Sequence, residues 1–305
     1  SFLEGRGLGL KEERGRRIFP VSDHSSDVIA CLNRELERLG VTVHLNTRVV
    51  SLTYSAEGYD DNSGGSDNQD MPDSIHTAGS HITGLKYTEY EDREEREKVL
   101  KKLSCEAVIV ACGGLSYPST GSTGDGYRFA GEAGHTIIKA TPALVPMITK
   151  EEWPRQLTGL SLKNISFSLR QGKKKIYDDF GELLFTHFGI SGPVVLSGSS
   201  FIKKYLDKGE VTCFIDLKPA LTKEMLDARI LRDFEGSENK QIRNALIHLM
   251  PQGLIPVVLD AAGIDRYKPV NAITKNERQN LVSAVKALSL TVTSLRGFNE
   301  AIITQ

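Results

Sequence analysis

Between Val108 and Tyr127 the chain reads VIVACGGLSYPSTGSTGDGY. Five apolar residues, Val108 to Cys112, stop at Gly113 and Gly114. A loop of Ser, Thr, Pro and Gly follows, and an amphipathic stretch opens at Gly124, Asp125 and Gly126. That order predicts a buried strand, a turn of bare backbone, a polar loop and a helix start, an α/β pattern. A turn without side chains lets a flat or phosphorylated ligand come closer to the main chain than any Cβ would allow.

Two readings of this run stand side by side. The paired glycines can simply make a tight strand-to-loop turn. The further glycines at 121, 124 and 126 favour a ligand loop, because a helix starting at Gly124 would aim free N–H groups and a positive dipole end at an anion. Asp125 can instead cap that helix, which is the more conservative role for it. No GxGxxG occurs anywhere, and GRGLGL (5–10) has its glycines at the wrong spacing, so the usual pyrophosphate turn of a dinucleotide fold is not found in these residues.

The 305 residues suffice for about two domains. A net charge of -1 gives no electrostatic case for nucleic acid, and no apolar run approaches a membrane span. Neither partner is expected. Cys31, Cys105, Cys112 and Cys213 form no CxxC pair, and the seven histidines show no ligand spacing. No metal is expected, and a reducing cytoplasm is the expected compartment. The chain opens on Ser1 rather than Met and closes in AIIT, so it is expected to be a piece of a longer protein.

Val28, Leu32, Leu36 and Leu39 predict a helix over about 22–39, with Ser22, Ser25 or Ser26 as its cap and Gly40 just past its end. Residues 41–54 alternate as a strand, and 55–80 collapse to Gly, Ser, Asp and Asn, a disordered insertion at a hairpin tip. Residues 81–90 read as the return strand. The charged 91–103 reads as a solvated loop or short helix before a strand at 104–112, giving a meander that feeds a larger sheet. A helix is predicted at about 125–133. Beyond it, 141–149, 165–187 and 211–219 read as short antiparallel strands of a small barrel or sandwich. Residues 222–288 read as separate short helices, and 291–304 as extended again.

ERGRRIFPVSD (13–23), NTRVVSL (46–52), ACGGLSYPSTGSTGDGY (111–127), PALVP (142–146), LTGLSLKNIS (157–166), GELLFTHFGISGP (181–193), IDLKPAL (215–221) and LTVTSLRGFNEAI (290–302) carry a resemblance. In these runs the chain resembles the BaiN/RdsA-like family of flavoproteins, also described as aminoacetone-oxidase-like and 3-dehydro-bile-acid-reductase-like. The likeness spans nearly the whole chain apart from 55–80. Family members usually carry Thr where this chain has Cys112.

The resemblance implies a partial FAD-binding domain of glutathione-reductase type with an inserted small β-barrel and a helical subdomain. The implied boundaries are 1–140 for the FAD-binding part, 141–220 for the HI0933-like barrel, 221–290 for the helices and 291–305 for a return strand. The N-terminal GxGxxG unit and a C-terminal glycine-rich segment would complete the flavin site. The resemblance places Ala111, Gly113 and Gly114 along the FAD phosphate–ribose side and Val49 near the adenine. It places Gly124, Asp125 and Gly126 near the reacting end. Val49 reads equally well as an ordinary core residue.

Arg16, beside Arg17, reads either as a solvated turn or as an anion clamp. His187 reads either as structural or as a proton donor beside a reduced flavin. The expected activity is flavin-dependent hydride transfer with a small-molecule substrate, these 305 residues being inactive alone. The alternative is a non-catalytic scaffold or interaction module.

Overall fold

The computed structural model describes residues 1–13, 17–55, 81–89, 99–237 and 239–305. They divide into two units, Ser1–Ile109 and Val110–Gln305.

In the first unit, β1 (Leu10–Glu13) and β2 (Arg17–Pro20) form an antiparallel hairpin, with Leu10 opposite Pro20. The helix α1 (Ser25–Arg38) follows, with Gly40 in the left-handed region just beyond it. Its cap position is His24 rather than any of the three serines, and no side chain closes it. Ser22 Oγ instead accepts the His24 amide at 3.3 Å and donates to Asp27 at 2.6 Å. On α1 the buried residues are Cys31 and Glu35. Glu35 accepts Arg38 at 2.8 and 2.9 Å and Arg6 at 2.7 Å. Those two guanidinium groups, Arg38 first, hold its carboxyl at about 2.

The meander is β3 (Thr47–Tyr54), β4 (Ile82–Glu89) and β5 (Leu100–Ser104), with Leu52 opposite Leu85 and Leu85 opposite Leu103. Two expectations change here. The strand predicted from Val41 begins only at Thr47, and Val43 and Leu45 stand 56% and 79% exposed. The third strand comes from the end of the charged stretch. Of the buried strand expected at 104–112, Ser104 closes β5, while 106–112 pair with no strand among the described residues, and Ile109 is 92% exposed. Apolar patterning alone cannot make a strand, because each backbone amide and carbonyl also needs a partner. Of the expected insertion, 56–80 lies outside the described residues, as does 90–98 of the charged stretch.

The second unit opens with the glycine loop and α2 (Asp125–Glu132), then β6 (Pro142–Ala143), β7 (Met147–Thr149) and the single turn α3 (Trp153–Gln156). Two long strands, β8 (Ser161–Gln171) and β9 (Lys174–Thr186), form a hairpin, where shorter strands were predicted. β10 (Gly189–Ser191), α4 (Pro193–Leu206) and β11 (Val211–Asp216) follow. Pro193 opens α4 at a position where its missing N–H costs nothing. Gly192, not Ser191, holds the cap position.

Four helices come next: α5 (Lys223–Phe234), α6 (Ile242–Ala245), α7 (Ile255–Ala262) and α8 (Lys275–Lys286). α5 is capped by Thr222, and α8 by a reciprocal Thr274–Glu277 capping box. The chain ends on β12 (Leu288–Leu295) and β13 (Ile303–Thr304). The expected 291–304 extended stretch therefore splits between two sheets.

Six antiparallel strands close a barrel in the order β10-β7-β12-β11-β8-β9. Alternation sends Val211, Cys213 and Ile215 of β11, and Leu288, Leu290 and Val292 of β12, inward. Burial pushes the Cys213 thiol up, so it behaves as a small apolar side chain. Leu226 and Ile230 of α5, Val258 of α7 and Val285 of α8 share one apolar core with the barrel residues Phe167 and Phe185.

Candidate functional site

β13 pairs with β6, Ile303 opposite Ala143 and Thr304 opposite Pro142. That short sheet fixes Thr304 beside the glycine loop. The Thr304 hydroxyl oxygen accepts the amides of Leu115 at 2.8 Å and Ser116 at 3.1 Å, and lies 3.0 Å from Ser116 Oγ. A Cβ at Gly114 would meet that hydroxyl at 2.5 Å, so Gly114 is required by the pinning itself. The Tyr117 amide donates to Phe298 O at 3.1 Å, giving the loop a second tie to the same returning segment.

Gly124 takes the cap position of α2 with φ 86°, a left-handed conformation that favours glycine. Asp125 is therefore not the cap. It is the first helical residue, where its carboxylate accepts Thr123 Oγ1 at 3.1 Å and pairs with Arg128 at 3.0 Å. Arg128 in turn reaches Glu132 at 2.8 Å. Among the hydrogen bonds of the described residues, none is donated by the amides of Gly113 or Gly114. The loop thus combines a fixed backbone with unspent donors at its tip.

The structure brings Ala111, Gly113, Gly114 and Gly124 into this loop of the second unit and puts Asp125 and Gly126 in the first turn of α2, which follows it. Gly126 lies near its start, since a Cβ there would stand 3.5 Å from Val110 and 3.8 Å from Gly113 O. Val49 stands in the first unit on β3, opposite Tyr87 and beside a bulge. Arg16 lies outside the described residues.

His187 is exposed on the turn between β9 and β10, its ring edge-on to Phe188 at 4.8 Å. Just before it, the Thr186 hydroxyl is buried with no hydrogen-bond partner among the described residues. The Arg296 guanidinium lies over Phe188 at 4.6 Å. It also donates to Glu300 at 2.6 Å, which raises its pKa further. The segment 296–304 therefore touches the His187 turn at one end and the glycine loop at the other. Thr304 and Arg296 were not singled out in the sequence. The family-like run of residues stops at Ile302, and nothing local marks a threonine that binds a loop nearly two hundred residues earlier.

Among the described residues no group of three or more His, Cys, Asp or Glu could hold a metal ion, and no helix is long and apolar enough to cross a membrane. The four cysteines are free.

The barrel with its helices and the pinned glycine loop define a mixed α/β protein whose second unit is a barrel–helix module. Residues 141–303 match the HI0933-like protein barrel and H2TH domain. The chain belongs to this family, within the BaiN/RdsA-like group. It is 26% identical over 302 residues to a 3-dehydro-bile acid delta(4,6)-reductase of Clostridium scindens, covering 99% of this chain and 65% of that protein. It is 31% identical over 200 residues to a ribosomal RNA dihydrouridine synthase of Haemophilus influenzae, covering 66% of this chain and 47% of the relative. The corresponding enzyme of Escherichia coli is 25% identical over 202 residues, 66% of this chain and 48% of its own length. The chain spans 65% of the first relative and about half of the other two.

Proposed function

We propose that the protein is an FAD-dependent oxidoreductase that reduces a carbon–carbon double bond conjugated to a carbonyl. The observation that carries the cofactor is the pinned loop with its unspent Gly113 and Gly114 amides. Donors already fixed in place pay little ordering cost when a ligand arrives. They fit the phosphate–ribose side of FAD, together with the main chain of Ala111. The α2 end fits a different part. The Asp125 carboxylate there repels a second anion despite the helix dipole and suits hydrogen-bond donors such as ribityl hydroxyls or a ring N–H. Val49 is proposed to approach the adenine through its main chain, and Arg16 to clamp an anion.

When bound, and once reduced by an external two-electron donor, the flavin would supply the hydride and return to its oxidised form. Hydride addition to one carbon of a conjugated bond leaves its neighbour needing a proton. The exposed imidazole of His187 is proposed to deliver it. The substrate class follows from the relatives' names. A 3-oxo steroid with unsaturation at positions 4 and 6 and a uracil ring share a double bond conjugated to a carbonyl. Saturating such a bond is the reaction common to both names.

The test is FAD reconstitution of the full-length protein. Visible flavin absorbance should persist after gel filtration, and Asp125→Asn should lower FAD affinity about tenfold while Arg128 stays in place. A protein that takes up no flavin would overturn the reading and leave a non-catalytic scaffold. His187→Gln should slow substrate reduction without changing flavin uptake.

A further inference from the structure

On a regular strand, residues three apart face opposite sides of the sheet. Leu162 and Ile165 of β8 break that rule, since both are buried in the barrel core. The cause is a bulge. Leu162 stands opposite Leu183 and Ile165 opposite Gly181, so Lys163 and Asn164 share the single position across from Glu182. Asn164 takes φ 56°, and the extra residue leaves Lys163 exposed while its two apolar neighbours are buried.

Against the bulge lies a cavity of about 180 Å³, walled by the buried side chains of Leu162, Ile165, Leu217, Leu249, Met250 and Leu254. A void in a core costs stability in proportion to its volume, and apolar walls give water few partners. The space suits one aromatic ring, since an apolar cavity of about 150 Å³ holds benzene. Met250, unbranched and polarizable, lets one wall adjust to an occupant.

Two lysines also line the cavity, Lys163 exposed and Lys218 half-buried. Neither ammonium group has a carboxylate partner among the described residues. Asp216, two residues before Lys218, is spent: it pairs with Lys286 Nζ at 2.5 Å and accepts the Lys218 amide at 2.9 Å. Glu182, across the bulge, is not free either. Lys286 also donates to the carbonyls of Lys218 at 3.0 Å and Leu221 at 2.7 Å, and the Leu217 amide donates to Val285 O at 3.0 Å. The main chain carrying Lys218 is therefore fixed before anything binds, which lowers the ordering cost of binding.

We propose that this pocket binds a small aromatic monocarboxylate, its ring in the cavity and its carboxylate on Lys163 and Lys218. Apolar walls beside unpaired cations fit an amphipathic anion, which satisfies both at once. A bare anion such as phosphate would use the charges and leave the void empty. A neutral ring would fill the void and leave the cations without a partner. None of the lining residues belongs to the glycine loop or the His187 turn. The pocket does not depend on the reduction proposed above, since binding can be read without flavin or turnover.

The test is isothermal titration calorimetry of the 305-residue chain with phenylacetate. Phenylacetate should bind saturably at one site. Phenylacetamide and acetate, each lacking one half of the recognition, should bind at least about tenfold more weakly. Replacing both lysines, Lys163→Met with Lys218→Met, should cost at least about the same factor. Leu249→Phe should fill the void and abolish binding with both lysines in place. Phenylacetate that binds the two-lysine variant as it binds the parent, or that inorganic phosphate displaces at equal concentration, overturns the proposal. So does the absence of binding, by calorimetry and by ligand-detected NMR, at about 10 mM phenylacetate. If Leu249→Phe fails to fold by thermal melting, the two-lysine variant decides the question, since neither lysine belongs to the buried core.

Discussion

The two units use similar apolar patterning and treat it differently. On β11 and β12 the alternate residues Val211, Cys213, Ile215, Leu288, Leu290 and Val292 are all buried, because each strand has a neighbour on both sides. In the first unit, Val41, Val43 and Leu45 alternate just as regularly and remain 48%, 56% and 79% exposed. On α1, Ile29 and Leu32 are 60% and 42% exposed, although the helix is amphipathic. Periodicity therefore reports which residues could share a face. Burial requires a second surface to cover that face, and the closed barrel with its helices supplies one for these strands. Apolar surface left open in this way is what interaction sites use.

A core substitution in the barrel is the strongest way to sharpen this contrast. Phe167 is fully buried and packs edge-on with Tyr177 at 6.4 Å. Phe167→Ala should cost about 3–5 kcal/mol, the range for removing a large aromatic ring from a closed core. Chemical denaturation of the 305-residue chain measures it. A loss below about 1 kcal/mol would mean that the barrel core is far looser than its burial implies.

Acid separates the units next. Glu277 accepts Lys268 at 2.6 Å and the Thr274 amide at 2.8 Å, which hold its carboxyl at about 2, below the ordinary 4.5. Its charged form is the one the fold favours. The contribution is therefore complete above about pH 4.5 and is lost as pH falls toward 2. Glu35 plays the same part in the first unit through Arg38 and Arg6. Glu277→Gln should flatten the acid side of the barrel unit's melting profile and leave the first unit's unchanged, with Glu35→Gln doing the reverse. Melting followed at several pH values, with a local fluorescent probe in each unit, checks both. If either variant moves both profiles, the units do not respond separately.

How much was legible in the sequence follows the same division. The helices from Thr222 onward were readable because their signals are local: Thr222 caps α5, and Thr274 with Glu277 makes a capping box. The barrel strands were readable as strands. Their closure was not, since it depends on β7 pairing with β12, where Thr149 lies opposite Val292. Nothing in a short window encodes a partner so distant. The glycine loop was visible as a loop, but its anchor Thr304 was not, for the same reason. The strand predicted at 104–112 failed in the opposite way: beyond Ser104, which closes β5, its local signal was strong, and no strand among the described residues answers it.

The smallest expected effect tests the comparison from its exposed side. Ile109 is apolar, flanked by Val108 and Val110, and 92% exposed. If sequence pattern alone carried stability, Ile109→Ser would cost as much as a core truncation. Burial makes a different forecast, because a side chain that stays in water in the folded chain loses nothing on becoming polar. The substitution should change the stability of the 305-residue chain by less than about 0.5 kcal/mol, against several for Phe167→Ala. The same denaturation experiment reads both variants. A cost above about 2 kcal/mol would show that Ile109 is buried in solution.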